Sequence, residues 1–509
     1  MPPLGRTGEK DAMAGRERMA SIDSAWLQME EPANLMMITA VLWFDGAMDL
    51  ERLRAVMRER LVERYPRFRQ RVVPGPLGAQ HWEDAPDFNL NEHLSTLRVP
   101  ASAGRAGLEA LVGDWLGVPL ERSRPLWHFH LVRGVEGGDV LLARLHHCIA
   151  DGIALARVLL SLTDPVDAAA GADGARAAAP QTDTGALSED ADPGLSSEAA
   201  RQPRAPADAR ARGEGLAAEL SSEMERQPRA PGWMRLARGA RSALRKGAEL
   251  VREPILAGDL VRDGARGAAA LGKLLVLPPD PRSPLRGPLG PRKVAAWSEP
   301  IALERVKAVG RTLGGTVNDV LLTAVTGALR RYLATRDAPL EDVHALVPVN
   351  LRPLDVPVPR ELGNHFGVVF LRLPVHLAEP RRRLREVAKR MEHLKRSPEA
   401  VVMSGLLELL GRTPAALERA AVDVMGTKAS LVATNVPGPR QPVSLAGTRL
   451  AGLTFWVPQA GHVGLGVSLF SYAGQVTVGV ASDAARVPDP GALVSAFQEE
   501  LDALETTVP

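Results

Sequence analysis

The sequence predicts a mixed α/β (α+β) protein built as two similar lobes. Three observations point there. The chain has 509 residues, too many for one ordinary core. Stretches with strand character and stretches with helical apolar spacing alternate in both halves, as expected of sheets flanked by helices. A long segment of different composition separates the halves. Hydrophobic residues make up 45% of the chain, enough to fill globular cores.

The first folded region spans residues 19–164. "NLMMITAVLWF" (Asn34 to Phe44) reads as a strand, and "DLERLRAVMRERLVERY" (Asp49 to Tyr65) has helical spacing with Asp49 as its cap. "PLWHFHLVRG" (Pro125 to Gly134) and "DVLLARLHH" (Asp139 to His147) are two further strands, and "VEGG" between them suits a hairpin. The second of these strands carries His146 and His147 at its C-terminal end. "GIALARVLLSL" then reads as an apolar helix, with Asp151 as N-cap and Gly152 permitting close backbone approach.

Residues 165–231 are rich in Ala, Pro, Arg, Asp and Ser, and "RQPRAP" occurs twice, at Arg201 to Pro206 and Arg226 to Pro231. This composition predicts a disordered linker. Residues 232–283 have helical spacing with arginines at short intervals. One reading is a solvated crossover between lobes. The other is a basic amphipathic surface for anionic lipid, with Trp233, Leu236, Leu244, Leu250 and Ile255 dipping into the interface. The second lobe spans 284–509. There "TVNDVLLTAVTGALRRYL" predicts a helix capped by Thr316 after Gly314-Gly315, and "ASLVATNVPGP" a strand ending in a turn. "VGLGVSLFSYAGQVTVGVASD" predicts a hairpin turned at Ala473-Gly474-Gln475.

The net charge of +2 gives no reason to expect nucleic acid as a partner. A single cysteine, Cys148, excludes a disulfide within the chain and fits a reducing cytoplasm. The first twenty residues lack the apolar region of a signal peptide. No run of about 18 apolar residues occurs, so no spanning helix is predicted. Membrane contact is therefore expected to be peripheral.

The densest chemistry lies in "RLHHCIADGIAL". Neighbouring strand side chains point to opposite faces, so one histidine of the pair should meet a substrate while the other is built into the protein. An imidazole held at the lip of a strand–loop–helix turn can serve as a general base near neutral pH. Asp151 can hold the loop through an arginine or orient an imidazole. Other readings stand beside this one. The histidine pair can be structural. His128 and His130 share a strand face and could join the pair around a metal, although no HExxH or cysteine-rich spacing is present. Cys148 can be a thiol nucleophile or a small packed apolar residue.

"HHCIADG" resembles the HHxxxDG signature of the coenzyme-A-dependent acyltransferase superfamily. Further stretches are similar to its bacterial wax ester synthase/diacylglycerol acyltransferase family: "MASIDSAWLQMEEPANLMMI", "RPLWHFHLV", "GPLGPRKVAAWS", "TVNDVLL", "VPVNLRP", "LGNHFG" and "TNVPGP". They cover roughly residues 19–165 and 284–500, in order. Two positions depart from the pattern. Asn350 stands where the family usually has serine, and Arg286 where asparagine is common.

The resemblance implies two chloramphenicol-acetyltransferase-like lobes, each a mixed sheet with flanking helices, and a passage between them. It implies transfer of an acyl group from long-chain acyl-CoA to a long-chain alcohol or diacylglycerol, giving wax ester or triacylglycerol and CoA. His147 resembles the catalytic base, His146 its support, and Asp151 a loop-shaping residue with Arg352 as partner. Gly152 fits the tight turn. Pro125, Leu126 and Trp127 match an element that either packs in the core or lines the acyl pocket. Asn318 and Asp319 match a pair beside the cleft, and a first-turn acid also suits the helix dipole. Acyl-CoA is a co-substrate, and no metal or other cofactor is expected. The expected location is cytoplasmic, with peripheral placement at the inner membrane or lipid inclusions. Two rivals are condensation-domain chemistry on carrier-bound acyl groups and a non-catalytic lipid-binding protein of the same fold.

Overall fold

The computed structural model describes residues 15–75, 79–166, 278–351, 357–397, 399–410, 415–459 and 461–507. Residues 167–277, which hold most of the expected linker and crossover, lie outside the described residues, as does Arg352. In the first half, strand β1 (Arg16–Arg18) precedes helix α1 (Ser21–Gln28) and strand β2 (Met37–Phe44). Helix α2 (Leu50–Val56) starts at Asp49, whose carboxylate accepts from the N–H groups of Glu51 and Arg52, and runs on as a π-helical segment, Met57–Val62. Strands β3 (Gln70–Pro74), β4 (Gln80–Asp84) and β5 (Leu94–Arg98) and helix α3 (Gly104–Leu116) follow. Strands β6 (Trp127–Arg133) and β7 (Val140–His146) form the expected antiparallel hairpin, and α4 (Gly152–Leu160) leads to the short β8 (Asp164–Pro165).

The second half contributes β9 (Lys293–Trp297), β10 (Ile301–Ala302), α5 (Leu303–Leu313) and α6 (Val317–Ala334). Then come β11 (Val343–Asn350), β12 (Phe366–Leu373) and helices α7 (Pro380–Lys395), α8 (Glu399–Leu410) and α9 (Ala415–Gly426). Strands β13 (Leu431–Pro437), β14 (Val443–Leu445), β15 (Thr448–Trp456), β16 (Leu465–Tyr472) and β17 (Gln475–Asp483) and helix α10 (Pro490–Thr506) complete it.

Two mixed seven-stranded sheets result. The first runs β5-β6-β7-β2-β15-β14-β8, and the second runs β10-β17-β16-β13-β11-β12 with β9 also on β17. Both strand neighbours of β13, namely β11 and β16, are parallel to it. The β16–β17 hairpin closes with Tyr472 opposite Gln475, and both turn residues, Ala473 and Gly474, have positive φ. That is the handedness a two-residue turn needs to match strand twist.

The lobes are not divided at residue 284. After β13 the chain leaves the second sheet, lays β15 along β2 with Phe455 opposite Ala40, and returns as β16. The Tyr472 hydroxyl fastens this excursion. It accepts from the Val443 N–H at 2.9 Å and donates to the Leu450 carbonyl at 3.0 Å. Val443, Leu445, Leu450 and Phe455 therefore belong to the first lobe's core, although the sequence reading placed all of 284–509 in the second. Strand alternation is blind to which sheet a strand joins, because the same apolar face can pack in either core. β2 reads as a near-continuous apolar run because it is central and covered on both faces, with seven of its eight residues buried.

Candidate active site

β7 ends where it carries the histidine pair to the junction of the lobes. Its partner β2 fixes the register, with Met37 opposite His146, and the His147 N–H extends the pairing by donating to the Met36 carbonyl at 2.8 Å. The alternation expected of a strand separates the two rings. His146 is 1% exposed. Its Nδ1 accepts from the Cys148 N–H at 3.0 Å, which places the ring proton on Nε2, and Nε2 donates to Glu30 at 2.9 Å. Burial pushes the Glu30 carboxyl up. The hydrogen bonds from His146 and from Arg122, 3.0 Å away, together with the Arg122 charge, outweigh it and hold Glu30 at about 2. His146 is thus a peg between β7 and a buried carboxylate.

His147 faces the other way. Its ring stacks on Trp26 of α1 with centroids 3.9 Å apart, and Phe366 of β12 lies at 5.6 Å. Its main-chain oxygen accepts from Nδ2 of Asn364 at 2.8 Å. The same Nδ2 donates to Asp23 at 2.8 Å, and the Asn364 N–H adds a third bond at 3.1 Å. Burial lowers His147 to about 3, even though its own carbonyl and the Asn364 side chain favour the protonated ring. At neutral pH the ring is therefore uncharged. Burial also raises Asp23 to about 6, against the lowering effect of the Asn364 donors.

Asp151 is the N-cap of α4. One carboxylate oxygen accepts from the Ala154 N–H at 2.8 Å, and the other accepts from the His365 N–H at 3.0 Å. The capping residue of one lobe thus binds the backbone of the other. His147, Asp151 and Gly152 line an apolar cavity of about 100 Å³ between the sheets. Trp26, Phe366, Leu407, Met425 and Phe455 supply much of its wall, and Asn350, Thr434 and Asn435 its remaining polar groups. A Cβ on Gly152 would stand 3.1 Å from Val457, so the turn has little room to spare.

The other sequence candidates fall elsewhere. Leu126 and Trp127 are buried in the first core, where the Trp127 indole donates to the Phe68 carbonyl at 2.8 Å and stacks on His93. None of Pro125, Leu126 and Trp127 is among the cavity's lining residues. Asn318 reaches the edge of the site by accepting from Asn435 at 2.9 Å. Asp319 is spent on a capping box with Thr316, which fixes the first turn of α6, and does not line the cavity. His128 and His130 share Ser95 as a hydrogen-bond partner, and burial lowers them to about 4 and about 3. Among the described residues, no three metal-donating side chains converge. Cys148 is fully buried in the first core, where burial raises its thiol well above the ordinary range, so it packs as a small apolar residue.

Sequence reasoning assigned no role to Asp23, Trp26, Glu30, Asn364 or Phe366. Their stretches carried the family resemblance, but Asp23 and Asn364 lie 341 positions apart. Only the packing of the lobes joins them.

The comparisons with known proteins agree with this architecture. The family model described as the wax ester synthase/diacylglycerol acyltransferase catalytic domain matches residues 19–321, and the WS/DGAT C-terminal domain matches 362–505. A putative diacylglycerol O-acyltransferase of Mycobacterium tuberculosis H37Rv is 30% identical over 462 residues, covering 86% of this chain and 85% of that protein. The probable diacylglycerol O-acyltransferase tgs1 of the same strain is 27% identical, covering 86% and 83%. Among solved structures, the wax ester synthase/diacylglycerol acyltransferase of Marinobacter aquaeolei VT8 superposes with a TM-score of 0.63 at 21% identity, over 96% of this chain and 99% of that one. The first condensation domain of the calcium-dependent antibiotic synthetase shares the fold at a TM-score of 0.55 and 16% identity, over 96% and 95%. The chain belongs to the wax ester synthase/diacylglycerol acyltransferase family and is an O-acyltransferase.

Proposed function

We propose that His147 is the general base when this enzyme moves a long-chain acyl group from acyl-CoA to the hydroxyl of a long-chain alcohol or a diacylglycerol. One observation carries the reading: a neutral imidazole, stacked and held through its own main chain, lines an apolar cavity between the lobes. Nδ1 of that ring is sealed in protein, so Nε2 is the nitrogen left for the cavity. Nε2 takes the hydroxyl proton as the alcohol oxygen attacks the thioester carbonyl carbon. The tetrahedral intermediate then expels the CoA sulfur, which receives that proton. A ring this hard to protonate at rest gains basicity in the transition state, because negative charge develops beside it and favours the imidazolium. General-base catalysis of this kind is typically worth about 10² to 10⁴ in rate.

The test is thiol release by the purified protein from palmitoyl-CoA with hexadecanol or dioleoylglycerol. His147→Ala is expected to lose about 10²-fold or more while keeping wild-type circular dichroism and urea midpoint. Wild-type turnover in that variant would remove His147 as base. The same assay with a carrier-bound acyl donor separates condensation-type chemistry. We also propose peripheral association with lipid surfaces, which rests on the lipophilic substrates. No helix among the described residues is long and apolar enough to cross a membrane. Flotation with anionic vesicles measures this directly.

A further inference from the structure

Helix α7 turns a basic stripe outward. Residues 380–396 carry eight arginines and lysines against two glutamates, in a chain whose net charge is only +2. Leu384, Val387, Met391 and Leu394 pack inward on the second core and α6. Arg383 is taken up by Glu500, and Arg390 by Asp342 and Glu386. At about 100° per residue, Arg381, Arg382, Arg385 and Lys389 fall within an arc of about 100° on the opposite side, along about 12 Å of helix. All four are exposed, and among the described residues none has a carboxylate partner. The exposed arginines of the neighbouring helices differ. Arg305 pairs with Asp502 and Glu505, Arg311 with Glu304, and Arg331 with Glu499 and Glu500. A solvated helix face usually balances its charges in that way, and the α7 stripe does not.

Apolar surface lies next along the chain. Four large apolar side chains stand exposed among the described residues, and two of them, Val401 at 57% and Val402 at 36%, are neighbours in the first turn of α8. That helix begins at Glu399, just beyond the α7 C-cap Arg396, and both helices pack on β12. Further along, α8 carries Leu407 to the wall of the cavity that His147 lines. One helix thus runs from exposed valines to the site. Unpaired guanidinium and ammonium groups suit phosphate esters, which arginine can grip with two parallel hydrogen bonds. Exposed valines beside them gain by leaving water. An anionic membrane surface rewards both features at once, whereas a soluble polyanion rewards only the cations. We propose that Arg381, Arg382, Arg385 and Lys389 of α7, with Val401 and Val402 of α8, dock the protein on an anionic lipid surface, from which the lipid acceptor reaches the cavity past α8. This assignment rests on the lipid association proposed above and gives it a face.

The test is co-flotation with vesicles of phosphatidylcholine, alone or mixed with phosphatidylglycerol. It compares wild type with Arg381→Gln/Arg385→Gln/Lys389→Gln and with a control of equal charge change on exposed first-lobe residues, Arg52→Gln/Arg58→Gln/Arg98→Gln. Each basic residue at an anionic surface is worth roughly fivefold in partitioning, so the α7 triple is expected to lose about 10²-fold on the phosphatidylglycerol vesicles. The first-lobe control should stay near wild type. Added salt should bring wild type down toward the α7 triple. Val401→Ser/Val402→Ser should loosen binding at low and high salt alike, because the contact it removes is apolar. All variants should turn over octanoyl-CoA with octanol in solution as wild type does. For dioleoylglycerol carried in the anionic vesicles, the α7 triple should show a raised KM at unchanged kcat. Wild-type partitioning in the α7 triple, or an equal loss in the first-lobe control, would overturn the assignment of this face while lipid association stands. Wild type that stays off both kinds of vesicle would remove lipid association itself, and this face with it.

Discussion

Asn364 grips His147 by its main chain: the amide Nδ2 that donates to the His147 carbonyl at 2.8 Å also donates to Asp23 at the same distance. One side chain from the second lobe thus fixes the backbone of the proposed base and satisfies a buried carboxylate of the first. The site is a joint between lobes, and its rigidity depends on both.

Asn364→Ala should therefore damage stability and turnover together. It leaves the Asp23 carboxylate with one donor fewer and the His147 carbonyl unpaired. An unsatisfied buried group costs about 1–3 kcal/mol, so a lower urea midpoint is expected along with a fall in kcat of at least about tenfold, as a misplaced base requires. A variant with wild-type midpoint and kcat would show that the grip is dispensable.

The two histidines should respond differently to substitution. His146 donates from Nε2 to Glu30 and accepts at Nδ1. Glutamine can restore the donor to Glu30, whereas alanine leaves that carboxylate buried beside Arg122 alone. His146→Gln is expected to retain more stability and turnover than His146→Ala, measured by urea unfolding and thiol release. Equal loss in both would mean that the imidazole itself, and not its hydrogen bond, is needed.

Acid should weaken the fold from about pH 6.5 downward. His147, His128 and His130 sit at about 3, about 4 and about 3, so between there and 6.5 the unfolded chain binds protons that the folded chain refuses. Stability then rises with pH in that window, by up to about 1.4 kcal/mol per pH unit for each group. Asp23 acts in the opposite sense. Its folded value of about 6 lies above 3.8, so its contribution is present in acid and fades as pH rises through 6. Three groups against one leave a net loss in acid. Urea midpoints at pH 7.5 and 5 check this, and equal midpoints would contradict it. Provided the fold holds, kcat should show no limb near 6.5, since His147 is already neutral there.

The apolar wall should set acyl length. Leu407 of α8 lines the cavity, packed in a cluster with Ile22, Trp26 and Phe366. Leu407→Trp fills part of the space and is expected to favour octanoyl-CoA over palmitoyl-CoA by about 10-fold or more in kcat/KM, each methylene in an apolar pocket being worth about 1–3 kcal/mol. An unchanged ratio would place the acyl chain elsewhere.

Much of the local structure was legible in the chain itself. The Asp49, Asp151 and Thr316 caps, the β6–β7 and β16–β17 hairpins and the opposite facing of His146 and His147 follow from short-range rules, and the structure shows each. "PLW" and Asp319 were offered two roles each. Trp127 is occupied by Phe68 and His93, and Asp319 by Thr316, contacts that no spacing discloses.

The sequence by itself determined the elements, their caps and turns, and the placing of an imidazole at a strand's end. It could do so because each of these depends on neighbours within a few residues. The tertiary structure alone decided that β15 completes the first sheet and that Asp23 and Asn364 meet behind His147. Those outcomes depend on which apolar faces pack together across hundreds of residues, and a pattern of period 2 or 3.6 records that a face is apolar without naming the surface it will cover.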